Sequence, residues 1–191
     1  NRNDFYIKNL TNNSSNILLI KYCKPFIIKK EIYICISDVI LNISSEGKRL
    51  RISLPSNNIV YYFDSNENET ILIGRSDECN VCIKNKSLSK INMTIKYYKM
   101  SISEFKANKL GHSINSERIY SQFVESNYNQ NTIIRFWEIY DGSLRKQSTN
   151  GVWYHLSTSF CISDKMILKI GKNKNYYGID TGCTYGLDRK L

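Results

Sequence analysis

At 191 residues the chain is long enough for one sizeable core with elaborations. A content of 41% hydrophobic and 12% aromatic residues, with nine Gly and two Pro, excludes a disordered or low-complexity polymer. Lys+Arg of 27 against Asp+Glu of 17 leaves a net charge of +10 and favours an anionic partner, whether nucleic acid, an acidic lipid surface or a phosphorylated peptide. Part of that surplus is compositional, since Asn, Ile, Lys and Tyr abound and Ala is nearly absent, as an AT-rich genome produces.

The N-terminus, Asn1-Arg2-Asn3-Asp4, has neither a start methionine nor a secretory pattern, so the chain reads as an excised piece of something longer. Residues 1–48 hold two strand-like runs, Ile17 to Ile20 and Ile32 to Ile36, and are expected to add an edge hairpin to the main domain. The most apolar stretch, Ile32 to Ile43, is broken by Asp38 and Asn42 and falls well short of the ~20 residues of a membrane span. No membrane partner is expected.

From Leu50 onward strand signals dominate. Leu50-Arg51-Ile52-Ser53-Leu54 alternates apolar and polar residues up to Pro55, and Ile59 to Phe63 is β-branched and aromatic. Ile71-Leu72-Ile73 resumes after a polar loop, Asn80 to Ile83 is a short strand, and Ile91 to Tyr98 alternates again. Ile133 to Tyr140, Val152 to Leu156 and Met166 to Ile170 complete the series. Short strands at intervals of roughly ten residues predict an all-β fold, a two-sheet sandwich or barrel. Residues 101–131 are mostly polar and predict a flexible insertion between two strands, with a short helix around Ile114 to Phe123. A Gly-Ser linker in their place is expected to leave folding and ligand affinity nearly unchanged. Residues 181–191 read as a tail.

Six cysteines stand at 23, 35, 79, 82, 161 and 183. Cys79-Asn80-Val81-Cys82 has the spacing of half a zinc site, but there is no second close pair and the only histidines are His112 and His155. Reduced thiols in a cytoplasmic or nuclear protein are expected, with no metal and no cofactor. No enzyme is expected either. Neither histidine lies near a Ser or Cys nucleophile motif, no Gly-rich phosphate loop precedes a helix, and no carboxylate pair stands out.

Three turns carry anion-binding groups in a fixed order. They are Gly74-Arg75-Ser76 at the end of Ile71-Leu72-Ile73, then Ser89-Lys90-Ile91-Asn92, then Ser148-Thr149-Asn150-Gly151 before Trp153. Phe136 to Gly142 supplies a strand ending in Asp-Gly, and Ile162 to Gly171 a closing strand pattern. From Arg49 to about Ile179, roughly two-thirds of the chain, this series resembles the forkhead-associated (FHA) domain. The resemblance implies an FHA/SMAD-like β-sandwich spanning 49–180, with the N-terminal strand extension and the insertion outside its plan.

The same resemblance implies a non-enzymatic interaction module that binds phosphothreonine in partner proteins. Arg75 presents a planar fork to two phosphate oxygens, which Lys cannot reproduce. Ser89 donates a hydroxyl, Lys90 adds a point charge, and Thr149 supplies a hydroxyl from the facing loop. Asn150 spans to the peptide backbone, Gly151 permits the tight turn beneath it, and Gly74 shapes the arginine loop. The family normally carries His three places after the loop serine, where this chain has Asn92; an amide still offers one donor and one acceptor to brace the loop. Two other functions remain open at this stage. One is a degenerate FHA fold used as a phosphate-independent contact in a larger assembly, and the other is a basic nucleic-acid binder with aromatic platforms.

Overall fold

A computed structural model describes residues 6–7, 18–21, 24–29, 31–65, 69–113, 116–155, 160–161, 166–170 and 176–179. Ile17, Leu156, the start of the closing pattern at 162–165, its end at Gly171, Cys23, Cys183 and the tail 181–191 lie outside these residues.

The strands in chain order are β1 (Tyr6–Ile7), β2 (Leu18–Lys21), β3 (Phe26–Ile28), β4 (Ile32–Ile36), β5 (Val39–Glu46), β6 (Arg49–Leu54), β7 (Ile59–Asp64), β8 (Thr70–Gly74), β9 (Val81–Cys82), β10 (Met93–Ser101), β11 (Ile133–Asp141), β12 (Trp153–His155), β13 (Phe160–Cys161), β14 (Met166–Ile170) and β15 (Tyr176–Ile179). Two helices, α1 (Ile102–Asn108) and α2 (Ser116–Glu125), stand between β10 and β11. One sheet runs β3-β11-β10-β8-β9 and the other β15-β14-β2-β12-β4-β5-β6-β7, with β1 and β13 as a separate ribbon.

The two sheets face each other as a sandwich, and alternation explains why. Ile34, Ile36, Leu41, Ile43, Leu50, Ile52 and Leu54 project from the larger sheet into one core with Ile71, Ile73, Met93, Ile95, Trp137 and Ile139 from the smaller. Each of these side chains is almost wholly removed from water. At about 1.5–3 kcal/mol per buried aliphatic side chain, this layer is the principal stabilising term.

Strands β2, β4 and β5 stand inside the larger sheet rather than at its rim. β4 and β5 lie between β12 and β6, inside the larger sheet, and β3 pairs with β11 at the end of the smaller one. Trp153 faces both Lys21 and Cys35 across the ladder.

The 101–131 segment is packed, contrary to the expectation of a solvated spacer. Residues 136 to 139 of β11 are all buried, because both faces of its sheet are covered. Trp137 and Ile139 enter the sandwich core, while Phe136 joins Ile27, Phe105 and Ile119 in a second cluster under the helices. Phe105 meets Phe136 edge-on at 5.4 Å between ring centres.

Helix α1 starts on a capping box. The Ser101 hydroxyl accepts from the Glu104 N–H at 3.2 Å, and the Glu104 carboxylate accepts from the Ser101 N–H at 2.7 Å. Those bonds to Ser101 hold the Glu104 carboxyl below its usual range.

A buried ionic cluster then fastens the helices to the sheet. The fully buried Glu138 carboxylate accepts from Lys109 Nζ at 2.6 Å, from the Tyr140 hydroxyl at 2.5 Å and from the Ser113 hydroxyl. Lys109 also sits over the Tyr98 ring, 3.8 Å from its centre. Burial first, and then the bond to Glu138, push the Tyr140 hydroxyl far above its ordinary range, so it remains a donor. A buried carboxylate is tolerable only with such partners. Among the described residues, no helix is long and apolar enough to cross a membrane.

Candidate functional site

The three turns singled out in the sequence meet at one end of the sandwich. β8 ends at Gly74, and the Arg75 and Ser76 N–H groups donate to the carbonyls of Ser89 and Lys90 at 3.2 and 3.1 Å. The two loops approach so closely that a Cβ at Gly74 would collide with the Lys90 carbonyl, so glycine is required there. The third loop closes on the second. The Thr149 N–H donates to the Ser89 hydroxyl at 3.2 Å, and the Asn150 amide donates to the Ser87 carbonyl. Gly151 turns with φ 75°, in the left-handed region, against the Lys21 side chain.

Asn92 is the brace beneath this surface. It is fully buried, and it touches all three loops. Its side-chain oxygen accepts from the Ser89 N–H at 3.2 Å and its amide donates to the Gly151 carbonyl at 3.4 Å. Its backbone N–H donates to Ile73 and its carbonyl accepts from Gly142, both at 2.8 Å. Asn92→Ala leaves the Ser89 N–H and the Gly151 carbonyl without these partners, at about 1–3 kcal/mol. Thermal unfolding should show a lowered midpoint, and amide exchange should rise at 89, whose N–H loses its acceptor. Unchanged exchange at 89 would remove Asn92 from this role.

The side chains on top are available. Arg75, Lys90, Thr149 and Asn150 are exposed and Ser89 is half-buried. Among the described residues, neither the Arg75 guanidinium nor the Lys90 ammonium has an ion-pair partner. The three bonded loops thus carry a guanidinium fork, an ammonium, two hydroxyls and an amide, the amide donating to the Ser87 carbonyl. That donor set suits a tetrahedral oxyanion beside an extended backbone.

Several supporting residues escaped the sequence reading. Asp141 accepts from the Ser148 hydroxyl at 2.5 Å and lies 3.4 Å from Lys21 Nζ, which anchors the third loop to β11 and β2. The Ser148 hydroxyl in turn accepts from the Gly151 N–H at 2.9 Å. Trp153, expected as a core residue, is buried and also donates its indole N–H to the Asn150 carbonyl at 2.9 Å.

Asp38, in the turn between β4 and β5, accepts from the Ser87 hydroxyl at 2.8 Å and the Asn85 amide at 2.9 Å. The Ser87 bond is the largest reason its carboxyl stays below the usual carboxylate range. Local cues for these contacts existed only for Ser148, whose Ser-x-x-Gly spacing marks a turn.

The Cys79/Cys82 pair serves the loops differently. Cys79 is buried with its thiol directed at the Lys90 carbonyl, 3.3 Å away, and burial raises its pKa. Among the described residues no group of three His, Cys, Asp or Glu side chains is placed to hold a metal. A scan against protein-family models, a search of curated proteins and a search of solved structures each returned no match.

Proposed function

We propose that this chain is a phosphothreonine reader of the forkhead-associated type, a non-enzymatic module that binds phosphorylated segments of partner proteins. The observation that carries the reading is that the loops bearing Arg75, Ser89, Lys90, Thr149 and Asn150 are bonded to one another over a buried Asn92 brace. A phosphothreonine monoester brings about −1.5 to −2 charges and three strong acceptor oxygens. Arg75 takes two of those oxygens, Ser89 and Lys90 the third, and Asn150 the peptide backbone. The net charge of +10 assists encounter with such a ligand.

An oriented phosphothreonine-peptide library tests the reading. The proposal expects selection of particular residues near the phosphothreonine and loss of capture after phosphatase treatment. Capture indifferent to phosphatase would assign the patch to a phosphate-independent contact. Retention of single-stranded nucleic acid with a steep salt slope, and no peptide selection, would assign it to nucleic acid. Affinity for a selected peptide should also fall as pH drops below about 6, where the phosphate takes up its second proton.

A further inference from the structure

The larger sheet ends on β7, and that edge lacks the usual protections. Among the described residues, the strands that end the two sheets are β3, β9, β15 and β7, of three, two, four and six residues. A very short edge gives another chain little to pair with, whereas six residues offer a full ladder. β7 contains neither Pro nor Lys, and residues 52–63 carry no charge in a chain of net charge +10. Its side chains are apolar on both faces. Tyr61 and Phe63 pack against the sandwich core, while Ile59, Val60 and Tyr62 are exposed, Tyr62 by 75%.

Pairing with β6 fixes which backbone groups face outward. The Ser65 N–H donates to the Lys48 carbonyl at 3.0 Å, so these two residues form a hydrogen-bonded pair. Along the antiparallel register such pairs recur at Leu50/Phe63, Ile52/Tyr61 and Leu54/Ile59. The N–H and C=O groups of Val60, Tyr62 and Asp64 therefore point to the open edge. Among the described residues no strand pairs with that side.

We propose that this edge is closed by β7 of a second copy of the chain, running antiparallel across a two-fold axis, so that one sheet continues through a homodimer. The strand is complementary to itself. Outward backbone groups must meet outward ones, which puts the axis at Tyr61 or at Tyr62. The Tyr61 setting places Ile59 opposite Phe63 of the second copy and Val60 opposite its Tyr62, each a β-branched residue against an aromatic one. Val60 and Tyr62 then exchange both backbone bonds across the seam, and the two-fold axis repeats them. Asp64 falls opposite Asn58, beyond the apolar run, whereas the Tyr62 setting would set Asp64 against Val60. Charge favours the same seam. Arg49 and Arg51 stand one strand back on β6, with Arg49 held 3.3 Å from Asp64, so the seam brings no two cations together. The dimer rests on this edge alone and is independent of what the recognition loops bind.

The test uses the full wild-type chain. Sedimentation equilibrium from low to high micromolar concentration should show the mass rising from 22.3 kDa to twice that value. Over the same range amide exchange should slow at 60 and 62. Tyr62→Lys puts an ammonium on the exposed outer face of both strands at the seam. It should weaken dimerisation by about tenfold or more and leave the thermal midpoint of dilute protein unchanged. Val60→Pro deletes an N–H that faces the open edge, where an edge strand tolerates proline, and should abolish the doubling of mass. A mass that stays at 22.3 kDa at every concentration would overturn the proposal, even if the edge then takes a strand from another protein. So would a doubled mass with unchanged exchange at 60 and 62, or folded Tyr62→Lys and Val60→Pro chains that dimerise as the wild type does.

Discussion

Arg75→Ala is expected to remove measurable binding of a phosphothreonine peptide and to leave the fold intact. Truncating one partner of a hydrogen-bonded charge pair costs on the order of 2–5 kcal/mol, or roughly thirtyfold to several thousandfold in affinity. The fold survives because the guanidinium is exposed, while the Arg75 backbone N–H keeps its bond to the Ser89 carbonyl whatever the side chain. Arg75→Lys fails nearly as badly, since the charge remains but the two-pronged geometry is lost. Calorimetric titration of both variants, with their thermal midpoints measured alongside, checks the result. A Lys variant that binds as tightly as the wild type would show that a point charge suffices and that the fork is not used.

The second large effect is on stability. Phe105→Ala empties the centre of the cluster formed with Ile27, Ile119 and Phe136, at about 3–5 kcal/mol. For a domain of this size that corresponds to a fall of roughly 6–20 °C in Tm. Replacing residues 101–131 with a Gly-Ser linker is harsher. It removes Lys109 and Ser113 from the fully buried Glu138 and exposes the outer face of β11. Phe105 and Ile119 are lost together, while Ile27 and Phe136 are left facing water, at about 1.5–3 kcal/mol for each apolar side chain, so the shortened chain should unfold well below Phe105→Ala. Thermal unfolding followed by circular dichroism decides between this outcome and a spacer that can be cut away; an unchanged midpoint in both variants would restore the spacer.

The reason that segment looked dispensable is instructive. Its average composition is polar, but a surface helix needs only one apolar stripe. Phe105 and Ile119 supply that stripe, each on a short helix, and the Ser101/Glu104 capping box marks where the first helix starts. The helix expected around Ile114 to Phe123 is present as Ser116–Glu125, whereas Ile102–Asn108 was not expected.

The strands from Leu50 to Tyr98 were readable because each buries alternate residues or ends at a clear turn. β3 was not, since Phe26, Ile27 and Ile28 are all buried, two toward the sandwich and one toward the helices, and the run shows no period. β5 was obscured by Asn42, a buried polar residue whose partners Glu31 and Arg51 lie on neighbouring segments.

At the site, the residues on the turns could be gathered from sequence because each motif is local. What fastens them could not. The bonds from Ser87 to Asp38 and from Asn92 to Gly151 join positions far apart in the chain, and only tertiary pairing brings them together.

The central claim, that this patch reads phosphothreonine, is tested most directly by one calorimetric comparison. The wild-type chain is titrated with a library-selected phosphothreonine peptide and with the same peptide lacking the phosphate. The account predicts saturable binding of the first with a stoichiometry of one, and no detectable heat from the second. Equal affinity for both peptides, or no binding of either, would contradict it.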